Sequence, residues 1–298
     1  MTGPARDYVG YGGKPPKVEW PNGARVAVSI VVNYEEGSER SILDGDPRGE
    51  TGTAEVSIPN WEPGKRDLAM ESMYEYGSRA GFWRLLDILD ERGVPATFFS
   101  CAVALERTPA GARAIVEHGH EVCSHGYRWE DVTQLGRDVE REHIRLAVES
   151  IERTTGSRPL GWYCRYGPSE HTRELVVEEG GFEYDSDSYN DDLPYWTEVG
   201  GKRHLVVPYT LDVNDIKFGQ GGLAVRDFQE YMAHSLDRLW KEGARAPKMM
   251  SIGLHQRLAG HPARAEAFDR FLEYANAKGG VWFARRIDIA RHWKEHHA

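Results

Sequence analysis

Five polar clusters in this 298-residue chain carry the residue types that do chemistry. Glu35-Glu36 is a carboxylate doublet, His125 stands between Ser124 and Gly126, and Arg165 follows Cys164. Asp212, Asn214 and Asp215 form a fourth group, and His255 closes the apolar run 249–254. Carboxylates supply a base or a metal ligand, imidazoles a ligand or a proton donor, and a guanidinium an orienting cation. Together they are the equipment for water-driven cleavage of an acyl or C–N bond. Each also has a plainer reading: a solvated loop doublet, a histidine bonded to loop backbone, a surface arginine paired with any neighbour. Position separates the two, because every cluster directly follows a strand-like run. Asp185, Asp187, Asp191 and Asp192 in YDSDSYNDDLPYW lack the glycine and terminal glutamate of a calcium loop, and turn chemistry accounts for them. Tyr127, Trp129, Trp162 and Tyr166 flank the clusters and are expected to wall a pocket for a flat, neutral ring.

The elements that would position these groups alternate between strand and helix. Residues 25–33 (RVAVSIVVN) are almost wholly apolar, as a strand buried on both faces must be. Further strands are expected at 96–103, 120–123, 160–163, 205–209, 249–254 and 281–283. Helical periods fill 78–92, 109–118, 136–155, 172–179, 225–242, 262–277 and 287–296. Such alternation predicts an α/β fold, a parallel sheet that closes or nearly closes into a barrel, with reactive groups at the carboxyl ends of the strands. No repeat or low-complexity linker interrupts it, so residues 1–298 read as a single domain. Residues 38–70, rich in Gly, Pro, Asp and Glu, form a long loop placed to cover the strand ends.

The 47 acidic residues against 37 Lys and Arg give a net charge of −10, the wrong sign for a nucleic-acid partner. No run approaches the ~18 apolar residues of a membrane span, and no secretory leader is visible, so a cytoplasmic location is expected. Cys101, Cys123 and Cys164 are widely spaced and are expected to be buried free thiols.

The ordered segments VVNYEEG, CSHGYRW, GWYCRYGP, PYTLDVND and SIGLHQRLAGHPAR resemble the five motifs of the polysaccharide deacetylase (NodB-type) superfamily. They are most similar to its cyclic-amide hydrolase branch, the allantoinases and cyclic imidases. The resemblance implies a single-domain distorted (β/α)7-type barrel and a hydrolase of non-peptide C–N bonds that opens a small hydantoin-, ureide- or imide-like ring. Glu35 then matches the general base, its pKa raised by the adjacent carboxylate, and Arg165 the arginine that orients it. His255 matches the proton donor, and Asp215, or in second place Asp212, its supporting acid. Glu36 and His125 match two metal ligands. The second histidine of the family's His-x-x-x-His falls on Trp129, and an indole cannot coordinate such a cation, so no metal is strictly required and any zinc would be weakly bound. The third motif, Cys164 to Thr172, departs from the allantoinase pattern, which implies a different pocket shape. A small-molecule substrate and a homo-oligomer are expected. The rival readings are a metal-dependent N-deacetylase of an N-acetylated sugar and a non-catalytic binding protein.

Overall fold

The computed structural model describes residues 3–57, 62–165, 167–219 and 225–297. Its strands are β1 (Val26–Tyr34), β2 (Ala96–Ser100), β3 (Glu121–Ser124), β4 (Gly161–Trp162), β5 (Tyr184–Asp185), β6 (Tyr195–Val199), β7 (Lys202–Val206), β8 (Lys248–His255) and β9 (Val281–Phe283). The helices are α1 (Leu68–Tyr76), α2 (Phe82–Arg92), α3 (Ala102–Arg107), α4 (Pro109–Glu117), α5 (Arg137–Thr155), α6 (Thr172–Glu179), α7 (Ile216–Gly219), α8 (Val225–Glu242), α9 (Gln256–Ala259), α10 (Pro262–Lys278) and α11 (Arg286–His296). A π-helical turn, Gly77–Gly81, joins α1 to α2.

All nine residues of β1 are buried, and it pairs in parallel with β8 along one side and, on the other, with β9 at Val26–Val28 and β2 at Ile30–Tyr34. The sheet runs β6-β7-β5-β4-β3-β2-β1-β8, and among the described residues only the β6–β7 hairpin is antiparallel. At its β8 edge the sheet is met by an irregular segment: the Gly253 N–H donates to the Val213 carbonyl at 2.9 Å, and the Asp215 N–H to the Gly253 carbonyl at 2.9 Å. The result is a curled, distorted half-barrel wrapped by helices in one domain, as the alternation of elements predicts.

Pleat alternation divides the core in two. Val26, Val28, Ile30 and Val32 face the helix layer, with Leu85, Leu86 and Leu89 of α2 and Phe268, Phe271 and Leu272 of α10. Ala27 and Val31 face the barrel interior, with Phe99, Tyr163, Tyr184 and Tyr209. Helix α2 stops at Gly93, whose φ of 62° lies in the left-handed region.

Several elements differ from the sequence reading. The strand expected at 96–103 ends at Ser100, because the Cys101 N–H turns to the Tyr34 carbonyl at 3.0 Å and α3 begins. The two-residue β5 is too short to leave a periodic signal, and β6 is half-exposed. Helix α1 begins at Leu68, within the expected loop. All three cysteines are buried free thiols. Among the described residues no helix is long and apolar enough to cross a membrane.

Candidate active site

The same alternation that sorts the core sets the direction of the first carboxylates. Continued past Tyr34, the β1 pleat sends residue 35 toward the barrel interior and residue 36 toward the helices. Glu35 accordingly meets the interior groups. Its Oε1 is 3.1 Å from His125 Nε2 and 3.8 Å from His255 Nε2, and its Oε2 accepts a bond from Arg257 Nη2 at 2.7 Å. Glu36 packs against the π-helical turn so closely that a Cβ on Gly77 would lie 2.5 Å from its Oε1. It accepts bonds from the backbone N–H of Glu35 (3.2 Å) and from the backbone and Nη1 of Arg257 (3.2 and 3.1 Å).

The other strand ends complete the ring. His125, just beyond β3, directs Nδ1 to the Tyr163 carbonyl at 3.1 Å and stacks on the Tyr163 ring at 5.0 Å. His255 closes β8 and donates from Nδ1 to Asp215 Oδ1 at 2.6 Å, while Asp215 Oδ2 accepts its backbone N–H at 2.7 Å and that of Ala259 at 3.1 Å. Asp212 lies away from this ring, exposed, with its carboxylate accepting from Tyr231 at 2.6 Å. The acid in contact with His255 is therefore Asp215.

Charge follows burial. Burial pushes the Glu35 carboxyl up, but Arg257, His255 and His125 outweigh it and hold the group below its ordinary range. In Glu36 burial, with the charge of Glu35, prevails over Arg257 and the carboxyl is raised. The upward shift expected for Glu35 thus falls on its neighbour, which has neither histidine beside it. Burial lowers His255, and the carboxylates of Asp215 and Glu35 more than reverse this.

Three further expectations are corrected by the geometry. Glu36 and His125 do not come together, since parity turns Glu36 outward and His125 faces Glu35. Arg165 does not reach Glu35: its guanidinium bonds Glu50 at 2.8 Å and the Trp129 carbonyl at 2.7 Å, and lies 3.4 Å from the Trp129 ring centroid. The guanidinium on Glu35 is that of Arg257. Of the expected aromatic walls, Trp162 is core, its Nε1 donating to the Cys164 sulfur at 3.4 Å. It nevertheless lines one small cavity with His125, Tyr127 and Arg165. Trp129 is buried beneath the two arginines, and Tyr166 lies outside the described residues. Asp185 and Asp187 serve the frame, Asp185 pairing with Arg173 (2.7 Å) and His204 (2.9 Å), and Asp187 accepting the Cys164 N–H (2.8 Å).

The loop that begins at Ser38 straps down over these ends. Asp46 pairs with Arg128 at 2.6 Å, Glu50 with Arg165, the Thr53 carbonyl accepts from Arg257 Nε at 2.5 Å, and the Gly52 carbonyl accepts from Tyr74 at 3.0 Å. Beneath it Glu35 is 1 %, His125 2 % and His255 6 % exposed. Arg257, Glu50 and Tyr74 were not among the sequence candidates. The signal for Arg257 is register: Asn33 pairs with His255, so residue 35 faces residue 257 one inward rung further on.

Comparison with known proteins now gives these motifs a family. The polysaccharide deacetylase family model matches residues 64–184, the stretch with His125 and Arg165. A Schizosaccharomyces pombe protein provisionally assigned to the polysaccharide deacetylases is 41% identical over 98% of this chain and 98% of its own. The chain belongs to the polysaccharide deacetylase family. It is thus placed among hydrolases of carbon–nitrogen bonds. A solved Pseudomonas aeruginosa PAO1 structure, also provisionally assigned to the polysaccharide deacetylases, is 51% identical with a TM-score of 0.93 and 98% coverage of both chains. One named Puue Allantoinase is 52% identical, with the same TM-score and coverage.

Family deacetylases are typically metal-dependent, and the donors here do not fit such an ion. Trp129 stands for one imidazole, Glu36 is committed to three N–H donors, and Arg257 lies between the carboxylates. Among the described residues no group of three or more His, Cys, Asp or Glu is disposed to hold a metal.

Proposed function

We propose that this deacetylase-family chain opens a small cyclic amide, of the hydantoin, ureide or imide kind, with water as nucleophile. The observation that carries the reading is the strap. A glycan substrate needs an open groove running past the base and the acid, whereas here Glu50, Gly52 and Thr53 are bonded down onto Arg165, Tyr74 and Arg257 above Glu35 and His255. A small neutral ring suits a closed site with a few polar fixers. Similarity to a protein named as an allantoinase over nearly the whole chain supports the same choice.

Glu35 Oε1 and His255 Nε2 are 3.8 Å apart. One water at about 2.8 Å from each fits beside the line joining them. Glu35, ionised across the neutral range, orients that water and takes its proton as the oxygen bonds to the ring carbonyl carbon. His255, charged and held by Asp215, then gives its proton to the departing nitrogen as the C–N bond breaks.

A second reading, N-deacetylation of an N-acetylated sugar, is favoured by the names of relatives. These include a Helicobacter pylori peptidoglycan deacetylase, 32% identical over 47% of this chain. The deciding experiment is a product assay with allantoin, hydantoin, a dihydropyrimidine, succinimide and N-acetyl-chitooligosaccharide, with and without zinc. Turnover of a cyclic amide is expected, and activity on the sugar alone overturns the proposal.

A further inference from the structure

Arg257 has no exposed surface, an unusual position for a guanidinium, and its bonds all lie within the site. Nη2 donates to Glu35 at 2.7 Å, Nη1 to Glu36 at 3.1 Å, and Nε to the Thr53 carbonyl at 2.5 Å. Its Cζ lies 4.5 Å from the Tyr74 ring centroid and 5.1 Å from that of Trp129. Two carboxylates in the plane of the fork and two aromatic rings beside it make a cage shaped for a planar cation. Two buried neighbouring carboxylates without a cation would each carry an uncompensated desolvation penalty.

The replacement at Trp129 then has a constructive side. The residue that stands where a metal-binding imidazole is expected gives the guanidinium an aromatic face. We propose that Arg257 is the resident cation of the site, a positioning residue. Its guanidinium fills the space between Glu35 and Glu36, balances their charge, holds Glu35 Oε1 toward His125 and His255, and thereby excludes a divalent ion. This rests on the site assignment but not on the choice of substrate, so its test needs no substrate and fails independently of the cyclic-amide reading.

The probe is Co²⁺, followed by visible absorption, by bound metal after dialysis, and by its effect on thermal unfolding. Wild-type chain is expected to retain no stoichiometric Co²⁺ and to show no shift in Tm. R257M, which empties the fork but keeps an apolar stem, is expected to take up about one equivalent and to gain Tm on binding. E35Q/R257M is expected to lose that uptake, and R257K, still cationic, to remain free of Co²⁺. Glu35-dependent stoichiometric binding by wild type overturns the proposal, as does a folded R257M that binds none. Should R257M not fold, E36Q/R257M, which removes one charge of each sign, is expected to fold. Its failing as completely as R257M would mean that Arg257 acts by packing rather than charge, and would equally overturn the proposal.

Discussion

Asp215→Asn is expected to lower kcat by about 10³–10⁴ while the protein stays folded. The size follows from how the carboxylate is held. Oδ2 accepts two backbone N–H groups, from His255 at 2.7 Å and Ala259 at 3.1 Å, and Oδ1 accepts the Nδ1–H of His255 at 2.6 Å. Asparagine has a single side-chain oxygen, and it must face the two backbone donors, because an NH₂ there would meet two N–H groups. The amide NH₂ then faces Nδ1, which has to accept. The proton of His255 shifts to Nε2, and the imidazole loses the anion that supports it as a cation. The sign in pH follows from the same contacts. The folded pKa of His255 is raised against burial by Asp215 and Glu35. Its contribution to stability is therefore fully present below the unfolded value of about 6.5 and is lost as pH rises through the folded value. The Tm gap between wild type and variant should be widest near pH 6 and should narrow toward pH 9. One rearranged set of buried hydrogen bonds costs about 1–3 kcal/mol, a few degrees of Tm, so the loss of turnover is separable from unfolding. The assay is turnover of the substrate identified in the panel across pH, with parallel melts. A variant retaining more than about a tenth of wild-type kcat, with a Tm gap that does not change with pH, refutes the reasoning.

Glu35→Gln and His255→Ala are each expected to lower kcat by about 10² or more with the circular dichroism spectrum unchanged, and near wild-type turnover in either contradicts the mechanism. Gly77→Ala, whose Cβ would lie 2.5 Å from Glu36 Oε1, is expected to destabilise by about 1–3 kcal/mol, read in denaturant unfolding, with no loss if the turn yields freely. Glu50→Gln breaks the nearly buried pair with Arg165 and should cost about 3 kcal/mol in stability while raising KM more than it lowers kcat; an unchanged KM argues against the strap as a roof.

How far the sequence carries depends on the kind of signal. Glu35, His125 and His255 were legible because each closely follows an apolar run, and in a parallel sheet such ends converge, whereas Asp215 lies six residues past its run and was drawn, with Asp212, from the motif resemblance. The direction of Glu36 was also available, since Val26 to Val32 alternate between two cores and parity continues past the strand. A motif match pairs Glu36 with His125 by order alone and ignores which face each residue leaves from. The partner of Glu35 was harder to see. Arg165 and Arg257 both follow strand ends, and choosing between them needs the β1–β8 register that sets Asn33 against His255. Glu50 and Thr53 were not legible, because their contacts come from a loop of no regular period whose path is fixed only by what it bonds. The hairpin β6–β7 was masked by half-exposed residues, although its Gly200-Gly201 turn is a hairpin signal.

The charges around the strand ends bear on why the proposed mechanism gives the proton transfer to His255. Four buried or nearly buried carboxylates, Glu35, Glu36, Asp215 and Glu50, face two guanidinium groups and two imidazoles. Both guanidinium groups are bound to carboxylates, and His125 is fixed between the Tyr163 carbonyl and Glu35. As negative charge develops on the substrate oxygen and the C–N bond weakens, a proton is needed at the departing nitrogen. Of Glu35, His125 and His255, His255 is the most exposed, and its Nε2 is not committed to a hydrogen bond within the ring of residues. Asp215 holds the other nitrogen and two backbone N–H groups, so His255 can give up its proton without moving. A metal seat would need Glu35 and His125 as ligands instead of as partners of each other, and Arg257 removes that option while leaving the acid and the base in reach of one water.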